Sequence, residues 1–212
     1  MAQHFAAHLY QRLREALAVQ AQAEVLLTLA TAQGFPLLEG FGTFWRGWAL
    51  AMQGQDTVGL AQMRQGMATV LATGNLVSRP LCLVLLAEAA GHAGKVEEGL
   101  HLLAEALTAF EASGRGDMLA EAYRFQGELL LRQAVPEVAQ AEACFQYALT
   151  IARHQQAKSW ELRTAISLSR LWQQQGKCRE ARELLVPIYG WFAEGFDTAD
   201  LQEAKALLDE LT

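Results

Sequence analysis

The sequence predicts an all-α protein, a right-handed solenoid of repeated helical hairpins, on two observations. Helix-forming residues dominate, since Ala, Leu, Gln and Glu fill long stretches while runs of β-branched residues are almost absent. Glycines recur at one fixed interval, from Gly54 to Gly94 and again along Gly34, Gly74 and Gly114. A hairpin repeated at such a period can bury its apolar faces only against its neighbours, which is how a solenoid is built.

One hairpin is visible between residues 83 and 110. Apolar residues at helical spacing form two stripes, and Gly94 lies between them, where a turn needs a positive φ. The repeated pattern predicts four hairpin units, over residues 35–74, 75–114, 115–156 and 157–193. Within residues 36–193 the turns are expected near Gln53–Gln55, Gly94, Ala134–Glu137 and Gly176.

Residues 1–34 look like a degenerate unit that precedes these four. Its turn position is Arg14, and no Gly, Pro, Asn or Asp occurs between residues 2 and 33. We expect either one long helix or a poorly marked hairpin there. No linker rich in Ser or Gly divides the chain, so residues 1–212 are predicted to form one continuous array.

The stretch GFDTADL, residues 195–201, precedes a final amphipathic segment. This segment predicts a capping helix over residues 197–212. Asp197 or Thr198 stands at the N-cap, where a side-chain oxygen accepts a free backbone N–H, and Asp200 falls in the first turn, where the helix dipole favours negative charge. A metal site is the alternative, but it would need more oxygen ligands than these two carboxylates.

Small residues predict where the helices cross closely. They recur in the first helix of each unit, at Gly47, Ala87, Gly127 and Ser169. In the second helices a small residue is followed four positions later by a bulky one, as in Gly59 and Met63, Gly99 and Leu103, Ala141 and Phe145, and Ala181 and Leu185. This pattern resembles the tetratricopeptide (TPR) repeat, although the period is about 40 rather than about 34 residues; HEAT-like repeats share the longer period and are the alternative.

Composition excludes several function classes. The net charge is −6 with scattered basic residues, which argues against a nucleic-acid surface. No apolar run approaches the ~20 residues that span a bilayer, and no secretory signal is visible. Three cysteines without paired spacing fit reduced thiols. We expect a cytoplasmic protein that binds neither nucleic acid nor membrane.

No catalytic constellation is visible, so no enzyme activity and no cofactor are predicted. His4 and His8 have the i, i+4 spacing of metal ligands but no third ligand, and they are interpreted as surface residues near a frayed end. The cluster GFGTFWRG, residues 40–47, lacks the strand and the lysine of a phosphate-binding loop. The five tryptophans fall at helical spacing and are expected mostly in the core.

Several stretches carry a resemblance to a known family, among them RGWALAMQGQ, RFQGELLLRQ, AEACFQYALTIARHQQAKSWELR and YGWFAEGFDTADLQEAKALLDEL. They resemble the carboxy-terminal TPR region of bacterial signalling proteins that carry a class III adenylate or guanylate cyclase domain and a STAND-type ATPase. The resemblance implies a regulatory arm in signal transduction that binds a protein, a peptide or a small-molecule effector. The alternatives are a free-standing TPR adaptor or scaffold, a small-molecule sensor, and an enzyme with an unfamiliar helical site.

The TPR pattern also implies a concave binding face on the first helices. Its apolar half consists of Phe41, Phe44, Trp48, Met52, Val84, Glu88 and His92, and its charged half of Arg124, Glu128, Arg132, Arg163 and Arg170. Arg163 and Arg170 have no suitably spaced acid in their own helix, so we expect them to be free to meet a partner's carboxylates. The competing interpretation is that the charges form a solvated surface and that the amino-terminal helix covers the apolar half.

Overall fold

All regular secondary structure in the residues that the structure describes is α-helical. The computed structural model describes residues 1–113 and 116–211, and these form eleven α-helices and no strand. The prediction of an all-α fold is confirmed, whereas Gly114, one of the regularly spaced glycines, lies outside the described residues. The helices are α1 (Ala2–Arg12), α2 (Ala16–Gln33), α3 (Pro36–Met52), α4 (Asp56–Ala72), α5 (Arg79–His92), α6 (Val96–Ser113), α7 (Leu119–Leu131), α8 (Val138–His154), α9 (Lys158–Gln174), α10 (Cys178–Tyr189) and α11 (Ala199–Glu210).

The contacts between helices divide the chain into two compact units, Met1–Arg115 and Gly116–Thr212. The first unit holds the hairpins α1–α2, α3–α4 and α5–α6, and the second holds α7–α8, α9–α10 and the final helix α11. That the whole chain forms one continuous array stays a prediction. In the described part of the chain, no helix has the length and apolar character needed to cross a membrane.

The amino-terminal segment is a hairpin, which decides between the two structures that the sequence left open. Its turn is at Arg14, whose φ of 64° is in the left-handed region that favours glycine. Arg14 precedes Gly54 by one repeat period and Gly94 by two, and these glycines have φ values of 83° and 72° at the same point of their hairpins. The backbone of this turn therefore recurs in all three hairpins of the first unit, even where the residue is not glycine.

The helices cross closely where the sequence places small residues. In the hairpin α3–α4, a Cβ atom on Gly47 would lie 2.7 Å from the carbonyl oxygen of Gly59, and one on Gly66 would lie 2.5 Å from the backbone nitrogen of Phe44. The two backbones are thus in contact, which excludes any larger residue without displacement of a helix. Met63, four residues after Gly59, is fully buried, as the repeat pattern predicts.

The second unit uses two other solutions at the same crossing point. In α7, the backbone of Gly127 lies against the ring of Phe145, whose Cε1 would be 2.6 Å from an added Cβ. In α9 the residue is Ser169, and its hydroxyl donates a hydrogen bond of 3.1 Å to the carbonyl oxygen of Ala181. A serine is accommodated here because its buried oxygen has a partner.

Helix α11 begins where the sequence predicts the last helix, but its N-cap chemistry is different. Thr198 is the N-cap residue, yet its hydroxyl donates to the carbonyl oxygen of Gly195 at 2.6 Å instead of accepting a backbone N–H. Gly195 has a φ of 78°, and its carbonyl oxygen lies within hydrogen-bond distance of the Thr198 hydroxyl. The prediction of a side-chain cap from Asp197 or Thr198 was therefore wrong. The apolar face of α11 is buried as expected, through Leu201, Ala204, Leu207 and Leu211.

Candidate binding face

The predicted binding face falls in both units, and each half is described by itself. In the first unit, four of its apolar members lie in the core: Phe41, Phe44, Trp48 and Val84 are between 0% and 5% exposed. They are not an open groove, because neighbouring helices cover them. Met52 and Glu88 are half-buried and His92 is exposed. Of the predicted residues in this half, these three are the ones that solvent reaches.

Two side-chain contacts cover the apolar half of the predicted face. The ring of Phe41 lies 4.1 Å from that of His4 in α1, and the indole N–H of Trp48 donates to Glu88 Oε2 in α5 at 2.9 Å. For Phe41, the interpretation that the amino-terminal helix covers the apolar half agrees with the structure. A buried indole N–H needs such a partner, so Glu88 has a structural role in fixing Trp48.

His4 and His8 are part of the same packing and are not surface residues near a frayed end, so that interpretation was wrong. The indole N–H of Trp45 donates to His4 Nδ1 at 3.1 Å, and the His8 ring stacks on Trp45 with centroids 5.5 Å apart. Burial, with a smaller contribution from the charged amino terminus, lowers the pKa of His4 to about 4. At neutral pH His4 is therefore uncharged, as an acceptor from Trp45 must be.

In the second unit the charged half of the face contains a buried ion cluster, formed by Glu121, Arg124, Arg163 and Asp200. Glu121 is 1% exposed and accepts two hydrogen bonds from Arg124, at 2.7 Å from Nε and 2.8 Å from Nη2. Arg163 Nη1 lies 3.5 Å from Glu121 Oε2, and Arg163 Nε donates to Asp200 Oδ2 at 2.7 Å. Two acids and two arginines thus join α7, α9 and α11.

The ion cluster determines the charge state of its central acid. Burial alone would raise the pKa of Glu121, but the charges and hydrogen bonds of Arg124 and Arg163 outweigh it, and the pKa of this carboxyl lies below its ordinary value. Glu121 is therefore a buried carboxylate, compensated on both sides by guanidinium groups. Such an arrangement holds its members in fixed positions, since losing one partner leaves an uncompensated charge.

Arg163 and Arg170 pair within the chain, which corrects the expectation that they are free. Arg163 belongs to the ion cluster, and it is only 8% exposed. Arg170 Nη1 lies 2.7 Å from Glu203 Oε1, and its side chain is 53% exposed. Both acids come from α11, a later helix, so spacing within one helix could not reveal them. Asp200 is the partner of Arg163 that sequence reasoning missed.

The surface of this half is formed by Glu128, Arg132 and Arg170. Glu128 Oε1 accepts hydrogen bonds from Arg124 Nη1 at 2.6 Å and from the hydroxyl of Ser167 at 2.9 Å. The second contact joins α7 directly to α9. Arg132, at the carboxyl end of α7, and Arg170 of α9 are exposed. The structure therefore brings the charged residues of two successive hairpins to one face.

Tryptophan packing agrees with the prediction that most of the five are internal. Trp45, Trp48 and Trp160 are buried, and the half-buried Trp172 donates its indole N–H to Glu142 Oε1 at 2.8 Å. Trp191 is exposed. Between residues 1 and 113 and between 116 and 211, no group of three His, Cys, Asp or Glu side chains has an arrangement that could hold a metal ion.

Comparison with known proteins identifies the fold. No family model matches the sequence, and no curated protein matches it. A crystal structure of a variant of the nearly identical TPR-like repeats of a putative kinesin light chain from Podosopora anserina matches with a TM-score of 0.59 and 17% identity, over 89% of this chain and 92% of that one. A second crystal structure of those repeats matches with a TM-score of 0.56 and 16% identity, over 99% and 94%.

The chain has a TPR-like repeat fold. The likeness extends over almost the whole length of both chains, and it favours TPR over HEAT-like repeats despite the long period. At 16% and 17% identity the likeness concerns the fold alone. TPR-like repeats generally mediate protein–protein interaction through surfaces built from successive repeats.

Proposed function

We propose that this chain is a protein-interaction module whose binding face in the second unit is the surface of α7 and α9. The observation that carries the proposal is the bond between Ser167 and Glu128, which joins the first helices of two successive repeats at 2.9 Å. The exposed residues beside it, Arg132 and Arg170, belong to the positions where TPR repeats contact their ligands. The ion cluster beneath keeps this face rigid, which lowers the entropy cost of binding.

The partner that fits this face is a protein or peptide segment with an acidic side chain. Arg170 is paired with Glu203, but its side chain is 53% exposed, and exposed pairs contribute only about 0–1 kcal/mol. A partner's carboxylate can therefore replace Glu203 at little cost. A guanidinium group is suited to this exchange because it binds a carboxylate through two parallel hydrogen bonds.

A pair of arginine variants tests the proposed face. We expect Arg132→Ala with Arg170→Ala to weaken binding of a purified partner, identified by affinity capture, about 10-fold or more, which corresponds to about 1.4 kcal/mol. Both side chains are exposed, so helicity should not change. Isothermal titration calorimetry gives the dissociation constant.

Arg179→Ala is the matched control, because Arg179 is also an exposed arginine with an acidic neighbour, Glu183, but lies on the second helix of its hairpin. Its binding should equal that of the unmodified chain. An undiminished affinity in the double variant, or an equal loss in the control, would show that the partner binds elsewhere.

The resemblance to cyclase–ATPase signalling proteins supports a finer proposal: this module is the regulatory arm of such a protein. The ion cluster includes Asp200, which belongs to GFDTADL, the most specific part of that resemblance. The free-standing adaptor is the alternative. Sequencing the native transcript decides between them, because a cyclase domain upstream in the same reading frame would exclude the adaptor, whereas a transcript without one would exclude the arm.

A further inference from the structure

Two histidines of α1 lie against aromatic side chains of α3. His4 Nδ1 accepts the indole N–H of Trp45 at 3.1 Å, and the His4 ring lies 4.1 Å from that of Phe41. The His8 ring stacks on Trp45 with centroids 5.5 Å apart. Phe41 and Trp45 are 5% and 1% exposed, and α1 supplies part of the cover over both rings.

The contact between His4 and Trp45 requires a neutral imidazole. Nδ1 accepts a hydrogen bond only while it carries no proton, because a protonated Nδ1 would place a donor opposite the donor of Trp45. An imidazolium in this position would also lose most of its hydration. Protonation of His4 therefore opposes the docked position of α1.

The helices that pack against α1 are α2 and α3. The ionisable groups of these three helices and of the turn between α1 and α2, besides His4, are the amino terminus, His8, Tyr10, Arg12, Arg14, Glu15, Glu24, Glu39 and Arg46. The amino terminus opposes protonation of His4, and burial opposes it more strongly. His8 accepts from Arg12 Nε at 3.4 Å. Arg46 donates to Gln62, and Glu24 accepts from Gln20.

The titration of His4 is linked to the docking of α1. In the docked helix the pKa of His4 falls from its ordinary value of 6.5 to about 4. On a released α1 the ring is hydrated and regains its ordinary pKa, so the released state binds more protons. Docking is therefore strongest above about pH 6.5, weakens as the pH falls from 6.5 to 4, and levels off below 4. Between pH 7 and pH 5 its equilibrium constant falls about 20-fold.

Two further features make α1 a weakly held helix. Gln11 is 4% exposed, and its Oε1 accepts no hydrogen bond from the residues that the structure describes, which costs free energy. One and two repeat periods later the same position holds Ala51 and Gly91, which have no side-chain oxygen. Arg14, between α1 and α2, has a φ of 64°, which is unfavourable for a residue with a side chain. Release of α1 relieves both.

We propose that α1 is an acid-sensitive latch: protonation of His4 releases α1 from α3 and uncovers Phe41 and Trp45, while α3 and α4 stay folded. The hairpin α3–α4 is held by backbone contact at Gly47 and Gly59, and this contact does not involve α1. The surface that the latch uncovers is aromatic, and Phe41 belongs to the predicted apolar half of the binding face. Acid thus controls access to that half.

Hydrogen–deuterium exchange of the full chain at pH 7 and pH 5, corrected for the intrinsic effect of pH on exchange, tests the latch. We expect the protection of the α1 amides to fall about 10- to 20-fold from pH 7 to pH 5. A released helix of this length frays and exchanges, because isolated short helices are marginal in water. The protection of α3 and α4 should not change.

His4→Asn is the variant that identifies the trigger. The asparagine oxygen replaces Nδ1 as the acceptor from Trp45 and does not titrate, so the protection of α1 should be the same at both pH values. His8→Asn should keep the fall in protection, because His4 is still present. His101→Asn is the matched control, since His101 is an exposed histidine of α6 in the same unit, and it should behave as the unmodified chain does.

Equal protection of α1 at pH 7 and pH 5 in the unmodified chain would overturn the proposal. A fall that persists in His4→Asn, or disappears in His8→Asn, would overturn it too, because another group would then be the trigger. A simultaneous loss of protection in α3 and α4 would mean that acid unfolds the hairpins together and releases no single helix. These measurements need no partner, so they are independent of the binding face of α7 and α9.

Discussion

At the scale of single residues, a buried acid joins two helices of the second unit. Glu121 is 1% exposed, and its carboxylate is compensated by Arg124 from its own helix and by Arg163 from α9. Removing one partner of a buried ion pair typically costs about 3–5 kcal/mol, because the remaining charge is left without compensation. The effect of such a change should therefore exceed that of any surface acid.

Glu121→Gln should lower the free energy of unfolding by about 3 kcal/mol at pH 7. The pKa of Glu121 is lower in the folded than in the unfolded chain, so its contribution is complete above the ordinary glutamate pKa of about 4.5 and is lost as the pH falls through the folded value. The difference between the unmodified chain and the variant should therefore shrink below about pH 4.5. Urea unfolding at several pH values measures it.

Glu194→Gln is the control for this prediction, because Glu194 is exposed in the loop before α11. Substitutions of this kind usually stay within about 0.5 kcal/mol. A constant difference between Glu121→Gln and the unmodified chain from pH 7 to pH 3 would show that folding does not lower the pKa of Glu121.

At the scale of elements, α11 acts on the array through its apolar and its acidic side. Leu201, Ala204, Leu207 and Leu211 are buried against the unit, while Asp200 and Glu203 pair with arginines of α9. We predict that α11 covers the apolar face of the hairpin α9–α10, as a capping helix with a polar outer face does in repeat arrays. Here the helix also completes the charge balance of Arg163.

Deleting residues 195–212 should lower the melting midpoint by several degrees, since it exposes the apolar face of the last hairpin. The deletion should also lower the solubility of the protein. A finer test compares two leucines within α11. Leu207→Ala should cost about 2–5 kcal/mol, because the side chain is 2% exposed, and Leu208→Ala should cost less, because its side chain is half-buried. An unchanged midpoint after the deletion would mean that α11 does not cap the unit.

At the scale of the whole molecule, the open question is whether the two compact units unfold together. Repeat proteins are stabilised by interfaces between neighbouring hairpins, so a continuous array should unfold cooperatively over this length. The tryptophans report on both units: Trp45 and Trp48 are buried in the first and Trp160 in the second. They allow each unit to be followed in the same experiment.

We expect one thermal transition, seen at the same midpoint by far-ultraviolet circular dichroism and by tryptophan fluorescence. Leu207→Ala, which lies in the second unit, should then move the entire transition to lower temperature. Two transitions, of which only one moves with Leu207→Ala, would show that the units fold separately and that the continuous array predicted from the sequence does not exist as one cooperative body.

Helices and turns were accessible to sequence reasoning because their causes are local. Gly54 and Gly94 mark turns through their positive φ, and the spacing of apolar residues marks each helix. The turn at Arg14 was ambiguous because it lacks this local signal: its left-handed conformation occurs at a residue that does not favour it. The periodic placement of Arg14, one repeat period before Gly54, was the available signal.

The binding face was harder to predict because exposure depends on what lies next to each residue. Phe44 and Trp48 were placed on the correct helix, but their burial follows from packing that no single repeat specifies. In the same way, the acids that pair with Arg163 and Arg170 come from α11. Composition and spacing indicated which positions are charged, but they could not indicate which side chains form ion pairs.

By itself the sequence determined the all-helical character, the period of the hairpins and the close helix crossings, because propensity, periodicity and the absence of a side chain at Gly47 or Gly66 act within one hairpin. Only the tertiary structure decided that Phe44 and Trp48 are core, that Glu121 is ionised between two arginines, and that His4 accepts a hydrogen bond from Trp45. These depend on desolvation and charge pairing between distant segments, and both quantities exist only once the chain has brought those segments together.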